Sequence, residues 1–164
     1  MRYELQEVEI VQALLKRPGF MMRRGFYETR NFFEKACEKT GLTAQQYDVL
    51  FILSFVDHMP QSNIGRLLDL DKSTTGLVIK KLIAKGYIER KTMPSDTRQR
   101  LVRLTAEGRS AFAEALLAAK GSQERIINIL GEEDYEQLLA LLAKVVRGMD
   151  RETNPPEEEW PQES

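Results

Sequence analysis

The stretch that leaves this chain the fewest options runs from Gln61 to Thr105. Gln61 to Leu68 has the apolar spacing of a short helix, and Leu70 and Asp71 make a turn. Ser73 to Lys85 reads as a second helix, with Asp71 or Ser73 able to accept hydrogen bonds from N–H groups that the first turn leaves unpaired. Gly86 supplies the left-handed residue that ends it. Tyr87 to Lys91 and Leu101 to Leu104 are β-rich and flank the turn Met93-Pro94-Ser95-Asp96, which predicts a hairpin. Helix, turn, helix and hairpin in that order form a winged helix, whose second helix has the width of a DNA major groove.

Charge points the same way. Between Pro60 and Leu104 stand ten basic residues (Arg66, Lys72, Lys80, Lys81, Lys85, Arg90, Lys91, Arg98, Arg100 and Arg103) against four acidic ones (Asp69, Asp71, Glu89 and Asp96), in a chain whose net charge is −1. A local positive field in a near-neutral protein suits neutralisation of phosphates. A merely solvated charged face would leave the helix-turn-helix spacing and the basic hairpin tip without a reason.

At 164 residues the chain is one domain, or one small domain with helical extensions, and can bury a core without staples. A single cysteine, Cys37, excludes an internal disulfide framework and fits a reducing compartment. No apolar run is long enough to span a membrane, and acidic residues interrupt the first apolar stretch, so no signal peptide is expected. These features predict a cytoplasmic protein.

In chain order, Met1 to Lys16 forms an amphipathic segment, with Leu5, Val8, Ile10, Val11, Leu14 and Leu15 apolar, and Pro18 and Gly19 are expected to break it. Phe20 to Lys39 predicts a long helix with Met22, Phe26, Phe33 and Cys37, flanked by Phe32 and Ala36, as its buried stripe. Gly41 ends it, and Thr43 with Gln46 makes a capping box for a buried support helix over Gln45 to Val56. Beyond the hairpin, Thr105 caps a helix running to about Leu130, with Phe112, Leu116, Leu117, Ile126, Ile127 and Leu130 as candidate buried positions. Gly131 breaks it, and a last helix carries Tyr135, Leu138, Leu139, Leu142, Val145, Val146 and Met149 at helical spacing. The fold class is therefore mainly α with a small β-hairpin, and four segments follow: 1–42 as N-terminal dimerisation and support helices, 43–105 as the winged helix-turn-helix, 106–150 as C-terminal dimerisation helices, and 151–164 as an acidic, proline-rich tail expected to be disordered.

With these pieces placed, the chain resembles the MarR family of transcription regulators from about Phe20 to Met149. The resemblance rests on LDLDKSTTGLVIKKLIAKGYIERK followed by PSDTRQRLVRLTAEGR, which is similar to the family's recognition helix, first wing strand, Asp-x-Arg wing tip, second strand and LT-x-x-G-R start of the next helix. It implies a homodimer, a pseudo-palindromic operator and repression relieved by a small ligand. The segment RPGFMMRR, Arg17 to Arg24, is similar to the branch of the family that governs degradation of aromatic acids, whose effectors are aromatic acids or their coenzyme A thioesters.

On the recognition helix, Thr75, Val78, Ile79 and Leu82 are expected to face the core, leaving Ser73, Thr74, Gly76, Leu77, Lys80 and Lys81 toward DNA. Lys72, Lys80 and Lys81 suit phosphates, while Ser73 and Thr74 hydroxyls can bond bases or phosphates. Leu77 stands where the family often has arginine; it either packs on a thymine methyl or belongs to the core. Gly76 costs about 1 kcal/mol against alanine in a helix interior, which either close approach to a phosphate or tight helix packing would explain. In the wing, Arg98 suits insertion into a narrow minor groove, Asp96 can hold its guanidinium, and Arg100 can bind phosphate. Gln61 and Asn63 open the first helix of the motif and either bond phosphates or cap it.

For an anionic aromatic effector, Arg23 or Arg24 offers a cation, and Phe20, Tyr27, Tyr47 and Phe51 could line a slot or be ordinary core. His58 could bond a carboxylate. An enzyme is disfavoured, because the one histidine and one cysteine are far apart in sequence and there is no Gly-rich phosphate loop and no CxxC or HxxxH pair; no cofactor is expected. The competing readings are a repressor with no small-molecule input and a redox sensor built on Cys37, although that residue sits on the apolar stripe beside Phe33.

Overall fold

The computed structural model describes residues 5–93 and 96–153, with side chains described for 7–91 and 101–149. In chain order the elements are α1 (Leu5–Leu15), α2 (Pro18–Ala36), α3 (Ala44–Ser54), β1 (Met59–Pro60), α4 (Gln61–Leu67), α5 (Lys72–Ala84), β2 (Ile88–Met93), β3 (Asp96–Leu104), α6 (Ala106–Leu130) and α7 (Glu132–Thr153). Two compact units divide the chain, Met1–Ser122 and Gln123–Ser164.

Local chemistry accounts for most boundaries. Pro18 separates the first helical segment from the second as expected, α1 ending at Leu15, and it also opens α2 two residues before the expected Phe20, because the first helical position needs no N–H and its fixed φ is already helical. Thr43 and Gln46 make the full capping box at α3: Thr43 Oγ1 accepts from the Gln46 N–H at 3.3 Å, and Gln46 Oε1 accepts from the Thr43 N–H at 3.3 Å. Asp71, not Ser73, caps α5, accepting from the Thr74 N–H at 2.9 Å and the Thr74 hydroxyl at 2.6 Å. Gly86 and Gly131 take positive φ where helices end, whereas α2 stops at Ala36 with Cys37 as its C-cap, before the expected Lys39, and Gly41 takes its positive φ at the end of the turn that follows.

The hairpin is longer than the sequence predicts and is part of a three-stranded antiparallel sheet in the order β1-β3-β2. β3 is central: Ile88 pairs with Leu104 and Lys91 with Leu101 on one side, Met59 with Val102 and Pro60 with Leu101 on the other. β1 was not expected. Its two residues have no strand signal of their own, and Pro60 is admissible because β1 is an edge strand.

The core lies in the first unit. Phe33, Cys37, Leu42, Val49, Leu50 and Leu53 pack with Ile64, Val78, Ile79 and Leu82, and with Ile88, Val102, Leu104, Ala111 and Ala115. Of the stripe expected on α2, Phe33 and Cys37 are buried, whereas Met22, Phe26 and Phe32 are exposed in this single chain. Helical periodicity identifies an apolar face but not what covers it. On α6 the buried positions are the small residues Gly108, Ala111 and Ala115; Leu117 and Leu130 are exposed. Gly108 has no alternative, since a Cβ there would lie 1.8 Å from the Tyr87 carbonyl oxygen. The Thr105 hydroxyl completes that crossing, donating to Gly86 O at 2.6 Å and accepting from the Gly108 N–H at 2.9 Å.

In the second unit, α7 carries Leu138, Leu139, Leu142, Val145, Val146 and Met149 exposed. No helix among the described residues is long and apolar enough to cross a membrane. The segment 154–164, with its acidic tail, lies outside the described residues.

Candidate nucleic-acid interface

Successive residues of a helix are about 100° apart, so the burial of Thr75, Val78, Ile79 and Leu82 sets the outward side of α5 without further argument. Ser73, Leu77 and Lys80 lie on that side, with Lys81 beside it, and all four are exposed. Leu77 is 54 % exposed, which removes the core alternative for it. Thr74 is half-buried, and its hydroxyl proton is committed to Asp71. The Asp71 carboxyl is accordingly lowered from its ordinary value, first by the Thr74 hydroxyl and then by the Thr74 N–H.

Gly76 is half-buried, and a Cβ there would meet only Gln61 Nε2, at an ordinary 3.6 Å. Packing within the chain therefore does not require glycine at this position. Gln61 and Asn63 stand in the first turn of α4, whose N-cap is Pro60 with no side-chain cap bond, so neither acts as the cap.

The basic residues divide into two sets. Three are occupied inside the lobe: Lys85 donates to Gly41 O and, at 3.1 Å, to Gln46 Oε1; Lys91 pairs with Asp57 at 2.9 Å; Arg103 pairs with Glu89 at 2.6 Å. Burial first, and Lys81 second, lowers the Lys85 ammonium below its usual value. Arg66, Lys72, Lys80, Lys81 and Arg90 are exposed and make no ion pair among the described residues. Arg90 was not singled out from the sequence, where nothing distinguishes it from its neighbours Glu89 and Lys91. It lines, with Lys80, Ile83, Ile88 and Thr105, a shallow groove of about 620 Å³ beside α5. Asp96, Arg98 and Arg100 are on the backbone of β3, and their side chains lie outside the described residues.

The candidate effector residues do not form one pocket in the single chain. The Arg23 guanidinium lies 5.6 Å over the Phe20 ring, and both line an open cavity of about 580 Å³ with Leu14, Lys16, Arg17, Pro18 and Gly19. Arg24 is exposed nearby. Tyr27 packs on Phe26 with ring centroids 5.8 Å apart. Tyr47 and Phe51 belong to a separate aromatic cluster, with Tyr47 5.1 Å from Phe33 and 5.7 Å from Phe112, and Phe51 5.1 Å from Phe55. Phe20 and Phe33 are on the same helix, but thirteen residues of α2 separate them by about 20 Å. His58 is elsewhere again, its Nδ1 3.1 Å from Asp57 Oδ2 at the base of the wing. The Asp57 carboxyl is pulled down to about 2, first by the hydrogen bond from Lys91 and then by that from His58.

Comparison with known proteins agrees with this geometry. The family model described as MarR family matches residues 42–99, from the end of the α2–α3 turn through most of the wing. A probable transcriptional regulator from Pseudomonas aeruginosa, known from its crystal structure, is 30 % identical with a TM-score of 0.76, over 80 % of this chain and 98 % of that one. A Thauera aromatica protein with the provisional name of transcriptional regulatory protein for the hcr operon is 29 % identical over 82 % of this chain and 81 % of its own length. BpsR of Bordetella bronchiseptica, whose DNA binding is regulated by 6-hydroxynicotinic acid, is 25 % identical with a TM-score of 0.71, over 78 % of this chain and 97 % of that one. The winged helix, its outward-facing basic helix and these relatives together establish that the chain belongs to the MarR family of DNA-binding transcriptional regulators.

Proposed function

We propose that the protein is a homodimeric repressor that binds a pseudo-palindromic operator and is released from it by a small aromatic acid or its coenzyme A thioester. The observation that carries the DNA half is the division of α5 into a buried face of Thr75, Val78, Ile79 and Leu82 and an outward face of Ser73, Leu77, Lys80 and Lys81. On this reading α5 enters the major groove, Lys72, Lys80, Lys81 and Arg100 meet phosphates, and Arg98, held by Asp96, enters the minor groove. The dimer reading is supported by the exposed apolar residues of α7, since a face of that kind requires a cover. The effector reading is supported by the aromatic cluster of Tyr47, Phe51 and Phe112, by the arginines of α2, and by BpsR, which answers to an aromatic acid. A redox input is disfavoured, because Cys37 is 3 % exposed and burial, the first cause, raises its thiol above the usual value.

The test is fluorescence anisotropy of a duplex taken from the DNA upstream of the protein's own gene. Tight binding that weakens with salt is expected, and the salt slope should fall by about one on Lys81→Ala. Arg98→Ala should weaken binding by about 1–3 kcal/mol with the dimer intact by gel filtration. Full affinity in that variant would remove the wing from the mechanism. Challenge with benzoates, hydroxycinnamates and their coenzyme A thioesters should release the duplex; tight binding that no member relieves would sink the effector assignment.

A further inference from the structure

The composition of α5 limits how it can tell one base pair from another. Its 13 residues include no arginine, asparagine or glutamine, the planar side chains that grip guanine or adenine with two hydrogen bonds. Two of its three hydroxyls are turned inward. Thr75 is buried and donates to Asp71 O at 2.8 Å, and Thr74 is half-buried and donates to Asp71 Oδ2 at 2.6 Å. Ser73 keeps the one exposed hydroxyl of this helix.

Leu77 is in the middle of the outward face. Ser73 lies one turn before it, Lys81 one turn after and Lys80 three residues on, and all are exposed. Leu77 takes no part in the core. A lysine can carry its charge past its own position to a phosphate on a flexible four-carbon stem. A leucine meets only what lies directly beneath it. With Lys80 and Lys81 on phosphates, what lies beneath Leu77 is the edge of a base pair. A base edge covered by leucine loses its water and gains no hydrogen bond in exchange, which is costly for a donor or acceptor. In the major groove guanine presents N7 and O6, adenine N7 and its amino group, and cytosine its amino group, whereas thymine projects a methyl group.

We propose that Leu77 is a specificity-determining residue that selects a thymine in each operator half-site by packing on its C5 methyl. This rests on the reading of α5 as the helix that enters the major groove, and extends it from where the helix binds to which base it selects. The selection works by attraction to the methyl and by rejection of polar edges. It also fixes the orientation of the pair, because T·A and A·T place the methyl on opposite sides of the groove.

The test uses the full chain and an operator duplex obtained by repeated selection on the protein from a random-sequence pool. Each thymine of the duplex is replaced in turn by deoxyuridine, which keeps the base pairing and removes only the methyl. Affinity is read by fluorescence anisotropy at one fixed salt concentration. We expect one thymine in each half-site to lose about 3- to 5-fold in Kd as deoxyuridine, the value of one buried methyl. Replacing that pair by C·G or G·C should cost about 5- to 100-fold. In Leu77→Ala the same deoxyuridine exchange should leave Kd unchanged, while Leu77→Met, which keeps an apolar contact, should retain the loss. Because Leu77 is exposed, both variants should keep the circular dichroism and Tm of the wild type; unfolding of Leu77→Ala would assign the side chain to the fold and overturn the proposal. A wild-type protein indifferent to every deoxyuridine overturns it too, and leaves a DNA-binding regulator that reads its operator by other means. So does a deoxyuridine loss of equal size in wild type and Leu77→Ala, which would give the methyl to another residue. A wild-type protein that enriches no duplex from the pool overturns the major-groove reading itself, and the role of Leu77 with it.

Discussion

Replacing Gly76 by alanine separates the stability of the recognition helix from its fit to DNA. Gly76 is inside α5, its φ is not left-handed, and the only neighbour a Cβ would meet is Gln61 Nε2 at 3.6 Å. Nothing in the fold asks for glycine, so alanine should stabilise the protein by about 0.5–1 kcal/mol, through the backbone freedom it removes from the unfolded chain. For a chain of this length that is a rise in Tm of about 1–4 °C. If the DNA backbone passes close to this turn, the same methyl obstructs docking. A clash of the kind that overpacks a core costs about 1–3 kcal/mol, or roughly 5- to 150-fold in operator Kd. Thermal unfolding followed by circular dichroism and anisotropy with the operator duplex measure the two effects on one preparation. A lower Tm would refute the packing argument. A higher Tm with unchanged operator affinity would show that Gly76 does not approach DNA, and would confine the contact to Ser73, Leu77 and the lysines.

Three further outcomes follow from the same structure. Gly108→Ala places a methyl on the Tyr87 backbone and should lower stability by about 1–3 kcal/mol or more, visible as a loss of several degrees in Tm; a neutral result would mean that α6 does not cross the wing base there. The Asp57 carboxyl titrates at about 2 when folded, against an ordinary 3.8. Its contribution to stability is therefore fully present above pH 3.8 and is lost as pH falls toward 2, and Asp57→Asn should flatten that part of the acid unfolding curve. The buried Cys37 thiol should react with a disulfide reagent far more slowly in the folded protein than in urea, and peroxide should leave operator binding unchanged; rapid labelling of the native protein would revive a redox role.

The elements that could be read from the sequence are those settled by neighbours a few residues apart. The Thr43–Gln46 capping box, the α5 cap narrowed to Asp71 or Ser73, and the left-handed glycines Gly86 and Gly131 are all local devices that act where their chemistry predicts, whereas α2 stops at Ala36, short of Gly41. The buried face of α5 follows from helical periodicity in the same way. Pro18 ends the first helical segment as expected, but the start of α2 at Pro18 and not at Phe20 was missed, because a proline that ends one helix is equally suited to begin the next.

By itself, then, the sequence determined a winged helix with a basic, outward-facing second helix, because caps, turns and amphipathic periods act within a few residues. Only the tertiary structure decided which long-range partners each group meets. β1 exists because β3, some forty residues later, offers it a ladder. Lys85, Lys91 and Arg103 look like DNA contacts in a charge count and are instead held by Gln46, Asp57 and Glu89. The aromatic residues grouped by composition divide into a set near the start of α2 and a cluster around Tyr47. These outcomes depend on chain segments meeting across the fold, where the energy lies in burial and in completed hydrogen bonds, and no local pattern of residues encodes which segments will meet.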